Sequence, residues 1–304
     1  MNQLTNKNKI DTNFTEKVDV AACHWILTHD DDDLEDLIWG EDGEDLDDDW
    51  ALPESAYKLK AYLNVVRKYC KLGIKHNGTI PVKYKFAKGK TSGRLFASAG
   101  IQGIKANIRA LLCRNYYNDV DMKVAHPTIL KHLASIEGIE CPRLTEYTQD
   151  RQRILEENQI SKTHINKMIN TDNLTSYRTT AFLTELTDEL DTIRNVLFEK
   201  NKNNVKTDNK KNHKSSVVNH LLCCQENHIV QLATQSFPKK SVGALMFDGF
   251  LLDKSAAVDT QVLDKMTEAY GIQWALKEHC DSLHVPEDFV PVDYNILKEE
   301  FEKN

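Results

Sequence analysis

The stretch Asn118–Leu133, NDVDMKVAHPTILKHL, sets two aspartates, Asp119 and Asp121, directly before an apolar run with helical spacing. Successive side chains of a strand alternate faces, so a strand ending in Asp-x-Asp turns both carboxylates to one side. Pro127 suits the first turn of a helix, where its missing N–H costs nothing. The stretch therefore reads as a strand, a tight connection, and a helix from Pro127 to about Ile136. If the carboxylates hold a divalent cation, the chain is an enzyme. If they are a polar strand end facing water, it need not be.

A second acid stands far downstream. SVGALMFDGFLLDK, residues 241–254, is two short apolar runs meeting at Asp248-Gly249, a hairpin signal. Should both strands join one sheet, Asp121 and Asp248 share a rim, and their repulsion calls for divalent cations between them. Two-metal phosphoryl transfer needs that arrangement, and magnesium suits oxygen ligands. Taken singly each acid is a weak signal, since an aspartate before glycine is commonly a turn residue.

The 304 residues, 40% of them hydrophobic, are enough to bury a substantial core. The sequence has no apolar run long enough to span a bilayer and no secretory leader in MNQLTNKNKIDTNF, so an intracellular, soluble protein with no membrane partner is expected. Seven scattered cysteines form no C-x-x-C, which argues against zinc and against a disulfide framework. From Asp30 to Asp49 there are thirteen acidic residues and no Lys or Arg, so the rest of the chain, against a total of −7, carries about +6. A basic body with an acidic arm follows. The arm reads as a solvated disordered segment; the sharper alternative is a phosphate mimic or a lure for a basic partner, anchored by Trp39 and Trp50.

Residues 1–52 thus read as an extension, with any packing confined to VDVAACHWIL at 18–27 and structure proper beginning after Pro53. ESAYKLKAYLNVVRKYC has helical spacing, and GTIPVKYKFAKGKTSGRLFA alternates like a lysine-rich pair of strands. Helices are expected over 144–158, over the stripe Phe182, Leu186, Leu190, Ile193 and Leu197, and from Val217 through VVNHLLCCQENHIVQLATQSF. Between the last two, NKNNVKTDNKKNHKSS reads as a mobile loop, and the tail from Ala256 is helical in pattern.

Four segments in order, spanning about residues 90–252, resemble family A DNA polymerases. TSGRLFASAGIQGIKANIRALL is similar to the T-G-R-L-S, N-L-Q-N-I-P and R-I-R signatures, and DMKVAHPTILKHLAS resembles the first catalytic motif, with Asp121 on its metal-binding aspartate. SKTHINKMINT resembles the second motif, with Lys162 on its lysine and Asn170 where tyrosine stands. LMFDGFLL resembles the third, with Asp248 on the second metal aspartate. The departures are Phe247 and Gly249 for the flanking histidine and glutamate, Asn170-Thr171 for Tyr-Gly, and His126 for the glutamate that excludes ribose. D-x-D, H-P-x-x-L and a D-G hairpin look like the divergent polymerase group of transposons, virophages and large DNA viruses, related also to single-subunit RNA polymerases. There the module is often followed by a helicase.

The resemblance implies an α+β fold: a right-hand palm with an antiparallel sheet at about 80–136 and 217–255, helical fingers at about 140–215, and C-terminal helices over 256–304 of a catalytic domain at 53–304. It implies a DNA polymerase or primase-polymerase at a viral or mobile-element replication site, with DNA template and primer and nucleoside triphosphates as partners, and a helicase as a further candidate partner. Asp121 and Asp248 would bind two magnesium ions, or manganese. Lys162 would meet the triphosphate, His126 and Asn170 would line the nucleotide site, and Arg94, Gln102 and Arg109 would track nucleic acid. Asp119 is a candidate third ligand, and Glu226 either faces the site or lies on an ordinary helix surface. A metal-dependent phosphodiesterase and an inactive nucleic-acid-binding replication factor remain as alternatives.

Overall fold

The computed structural model describes residues 12–39, 56–205, 212–277, 279 and 283–291. Its strands are β1 (Asn13–Lys17), β2 (Thr79–Phe86), β3 (Leu95–Ala97), β4 (Tyr117–Met122), β5 (Val242–Met246), β6 (Gly249–Asp253) and β7 (Trp274–Lys277). The helices are α1 (Val20–Leu27), α2 (Asp31–Trp39), α3 (Ala56–Lys75), α4 (Ala106–Cys113), α5 (Ala125–Ile136), α6 (Pro142–Gln149), α7 (Arg151–Asn158), α8 (Lys162–Ile169), α9 (Ala181–Asn201), α10 (His213–Thr234) and α11 (Thr260–Met266). The strands form two antiparallel sheets, β1-β2-β3 and β5-β6-β4-β7. This is the mixed helix and antiparallel-sheet class that the sequence predicts.

The four-stranded sheet is built around β4. Val120 is fully buried on one face while Asp119 and Asp121 take the other. Asp121 pairs with Gly249 on β6 and with Ala275 on β7, so the Asp-x-Asp strand lies between two neighbours. Helices form where the apolar spacing expects them: α9 buries Leu183, Leu186, Leu190, Ile193 and Leu197, with Leu183 taking the innermost position in place of Phe182. Residues 206–211 of the Asn- and Lys-rich loop lie outside the described residues.

Two expectations are corrected. Residues 12–39 are not a disordered arm: packing is not confined to VDVAACHWIL, since β1 pairs with β2 along its whole length and Phe14 and Leu34 join Val18, Ala22, Cys23 and Ile26 in the core. The remainder of the acidic run, with Trp50, lies outside the described residues. The tail is not simply helical either, since α11 is followed by β7, which completes the sheet beside β4. Four residues are too few for a period to declare itself. What fixes β7 is tertiary: Trp274 is buried, its backbone N–H donates to Asp264 at 2.6 Å, and its indole N–H donates to Thr267 at 3.0 Å.

β1 escapes a sequence reading because its second inward residue is an acid. Glu16 is fully buried and accepts hydrogen bonds from Tyr69 Oη at 2.5 Å, the Ile101 amide at 2.9 Å and Tyr84 Oη at 3.4 Å. Tyr84 Oη in turn accepts from the Leu245 amide at 3.1 Å, so the network ties the three-stranded sheet to the hairpin strand β5. Lys17 adds a second tie, its amide donating to Tyr117 Oη at 2.7 Å and its ammonium pairing with Asp253 at 2.6 Å.

Burial lifts the Glu16 carboxyl from its ordinary 4.5 to about 7, against the pull of its hydrogen-bond donors. Between those values the native state holds a proton that the unfolded chain has released. Stability from this group is therefore full below about pH 4.5 and is lost as pH rises through about 7. Urea unfolding at pH 5 and pH 8 is expected to show this loss, on the order of 3 kcal/mol. Glu16→Gln, which keeps the shape and cannot ionise, should remove that share of the slope.

Candidate carboxylate site and its neighbouring ion cluster

The hairpin sets the second acid beside the first. Met246 pairs with Gly249, leaving Phe247 and Asp248 as a two-residue turn. The turn lies one residue earlier than Asp248-Gly249, and Phe247 adopts φ +37°, a positive value that a bulky side chain rarely takes. The Met122 amide donates to the Asp248 carbonyl at 3.0 Å, which clamps the turn against the end of β4. The sequence candidates Asp121 and Asp248 are thus brought together from 127 residues apart.

Gly249 is required by this contact. A Cβ there would lie 2.0 Å from Asp121 Oδ1 and 2.4 Å from the Val120 carbonyl oxygen, so the carboxylate leans over a residue with no side chain. The glutamate expected next to Asp248 from the resemblance could not stand at this position without moving Asp121. The other cross-strand neighbour, Ala275, is also small. Asp121 accordingly has no bulky cross-strand neighbour, and its carboxylate takes up the room over Gly249.

The acids repel one another. Asp119 and Asp121 are each only 7% exposed. Burial, followed by the charge of Asp121, raises Asp248 to about 8 and Asp119 to about 7, the latter against the opposing charges of Arg109 and Lys277. Asp119 Oδ1 is buried with no hydrogen-bond partner. An all-oxygen donor set, an orphaned carboxylate oxygen and acids lifted by mutual charge fit a hard divalent cation. The three do not converge on one point, however: among the described residues the group whose ligand atoms all lie within 4.8 Å of one another is His126, Cys223 and Glu226.

That second group is an ion cluster. Glu226, on α10 and 1% exposed, accepts from Arg94 Nε at 2.5 Å and Nη2 at 2.9 Å, and His126 Nε2 lies 3.0 Å from its Oε1. Burial opposes charge on Glu226, but His126 and Arg94 overcome it and hold the carboxyl at about 2. Burial likewise pulls His126 down, and Glu226 outweighs it, lifting the imidazole to about 10. Arg94 also lies over the Phe247 ring at 4.7 Å, which links the cluster to the Asp248 turn.

The remaining candidates divide. Gln102 is buried, and its amide joins β3 to β5 through Leu95 O at 3.1 Å, Leu245 O at 2.9 Å and the Ala97 amide at 3.0 Å. Arg109 donates to Ile104 O and lies 3.8 Å from Asp119, beside the acids rather than on an outer face. Lys162 begins α8 and is partly exposed. Asn170 caps the other end of α8 and accepts from Asn219 of α10 at 2.8 Å. With Lys90, Ser92, Arg94 and His220, both asparagines line an open cleft of about 500 Å³.

The residue that sequence reasoning missed is Lys277, on the unforeseen strand β7. Its Nζ lies 2.5 Å from Asp121 Oδ2. Only pairing β7 with β4 could have found it. A further feature invisible in the sequence is Val124, held at φ +50° between β4 and α5; a β-branched residue in that region costs roughly 1–2 kcal/mol. Together with Phe247 it places a strained residue close to each aspartate.

No protein-family model matches the chain. Over 203 residues, 58% of its length, it is 29% identical to the putative helicase V13 of Sputnik virophage, and it spans only 26% of that protein. The POL domain of Pol1 from M. smegmatis, solved with DNA primer-template and dNTP, aligns over 87% of this chain and 67% of that one. The TM-score of 0.43 and identity of 10% are too low for that likeness to carry an argument. No helix among the described residues is long and apolar enough to cross a membrane.

Gly249→Ala is expected to lower stability by about 2 kcal/mol in thermal unfolding, through forced displacement of Asp121. Gly103→Ala, where an added Cβ meets nothing within 4 Å, is the matched control and should leave the transition in place.

Proposed function

We propose that this chain is a template-directed nucleotidyltransferase, a DNA polymerase or primase-polymerase module that uses Asp121 and Asp248 to hold two divalent cations. The observation that carries the proposal is the meeting of those two acids at one sheet rim, in the order of the polymerase motifs, with the repulsion between them that such cations offset. On this reading the four-stranded sheet with α5 and α10 is the palm, and α6 to α9 are the fingers. The chain spans about a quarter of its virophage relative, so a helicase elsewhere in a longer polypeptide or in a partner belongs to the same proposal.

Magnesium, or manganese in its place, would favour deprotonation of the attacking 3′-hydroxyl and offset the charge of the departing pyrophosphate. Asp121 and Asp248 would hold the ions, with Asp119 as a further oxygen donor. Lys162 meets charge developing on the triphosphate. Arg94, anchored by Glu226 and stacked on Phe247, faces the cleft with Asn170 and holds the strand or nucleotide there by phosphate and sugar contacts. His126 stands where a ribose-excluding glutamate is expected. Its pairing with Glu226 draws the imidazole toward α10, leaving room for a 2′-hydroxyl, so ribonucleotides are accepted.

Extension of a labelled primer on a DNA template with magnesium tests the reading. Asp121→Ala and Asp248→Ala should each lower the rate at least about a thousandfold, and Lys162→Ala about a hundredfold. Hydrolysis of nucleic acid without triphosphate would identify a phosphodiesterase, and retained DNA binding with no synthesis an inactive replication factor.

The sugar preference is tested separately. His126→Glu alone would set two carboxylates against each other, so the informative protein is the double variant His126→Glu with Glu226→Gln. It should shift incorporation toward dNTPs over rNTPs at least about tenfold; an unchanged ratio removes His126 from sugar selection.

A further inference from the structure

We propose that Lys277 is a built-in counter-cation of the carboxylate rim, an ammonium that takes a cation's place at Asp121 and must leave before a divalent ion binds there. The inference rests on the two-metal reading and adds a competitor to it. In the β4–β7 register Lys277 stands opposite Asp119, and Ala275 stands opposite Asp121. Cross-strand partners share a face, and a long side chain reaches the diagonal neighbour. Lys277 crosses that diagonal and places Nζ 2.5 Å from Asp121 Oδ2. Ala275, the residue directly opposite Asp121 on β7, is small and does not block that diagonal.

The contact is made to be exchanged. The lysine side chain is 58% exposed while that of Asp121 is 10% exposed, so the ammonium borders water while the carboxylate stays within the sheet face. A single ammonium contact is also weaker and less directional than a forked guanidinium pair. The Arg94–Glu226–His126 cluster is the opposite case: its carboxylate is 1% exposed and held at both oxygens, which keeps it closed. With no ion present, Lys277 offsets the repulsion among Asp119, Asp121 and Asp248. A divalent ion offers twice the charge and binds several oxygens at once, so it displaces the lysine. Ion entry and lysine release are then one linked equilibrium.

Manganese binding to the full chain, followed by electron paramagnetic resonance without nucleic acid or triphosphate, tests this. Lys277→Met and Lys277→Gln should each tighten the Asp121-dependent site about five- to tenfold relative to wild type. Thermal unfolding in the absence of manganese establishes that each variant is folded, and the glutamine variant serves if the methionine variant is not. Unchanged or weaker binding in a folded variant overturns the inference and leaves the two-metal reading standing, provided wild-type binding is lost in Asp121→Asn. Binding by the Lys277 variants alone, lost again on adding Asp121→Asn, is the strongest support. No manganese binding in any of them sinks both readings, and binding that survives Asp121→Asn places the ion elsewhere and overturns this one.

Discussion

Repulsion between carboxylates at one sheet rim is the constraint on which the rest of this structure depends. β4 delivers Asp119 and Asp121 to one face, and the β5–β6 turn adds Asp248 beside them. Such an arrangement survives only if its surroundings offset the charge or suppress it. Both happen: burial and mutual charge raise Asp119 and Asp248, while Arg109 and Lys277 approach from opposite sides of the chain's order. The small residues at 249 and 275 leave room for the carboxylate of Asp121 to lie over the sheet face. A sheet built only for stability would place larger apolar side chains there.

A second, separately balanced charge cluster stands next to the rim. Arg94, Glu226 and His126 come from the loop before β3, from α10 and from α5, and their contact ties these three elements together, with Arg94 reaching on to the cleft. Burying an unpaired glutamate would cost several kcal/mol, so this closure is a condition of α10 packing where it does. Arg94 lying over Phe247 passes that order on to the Asp248 turn. The left-handed backbones of Phe247 and Val124 are tolerated because tight packing and the Met122 to Asp248 hydrogen bond hold them.

The N-terminal strand belongs to the same architecture. Glu16 is buried among Tyr69, Tyr84 and the Ile101 amide, and Tyr84 reaches the backbone of β5. The three-stranded sheet therefore braces the hairpin that carries Asp248. An acid at that inward position gives β1 a polar pattern, which is why the segment resembles solvated chain when read alone.

Local chemistry made much of this legible in the sequence. Asp-x-Asp before a proline-started helix, the apolar stripe of α9 and the paired runs around Asp248 follow from side-chain alternation, helical periodicity and turn preference, and all are near-neighbour properties. The motif order named Asp121 and Asp248 as the acids to watch. Contacts between distant segments were decided by tertiary structure alone. The burial of Gln102 between β3 and β5, the pairing of His126 with Glu226, the inward turn of Glu16 and the arrival of Lys277 at Asp121 each join residues that no local pattern connects. A side chain's type records what it can do. Whether a polar group faces water, a partner or a carboxylate depends on which strand becomes its neighbour, and only the closed sheet settles that.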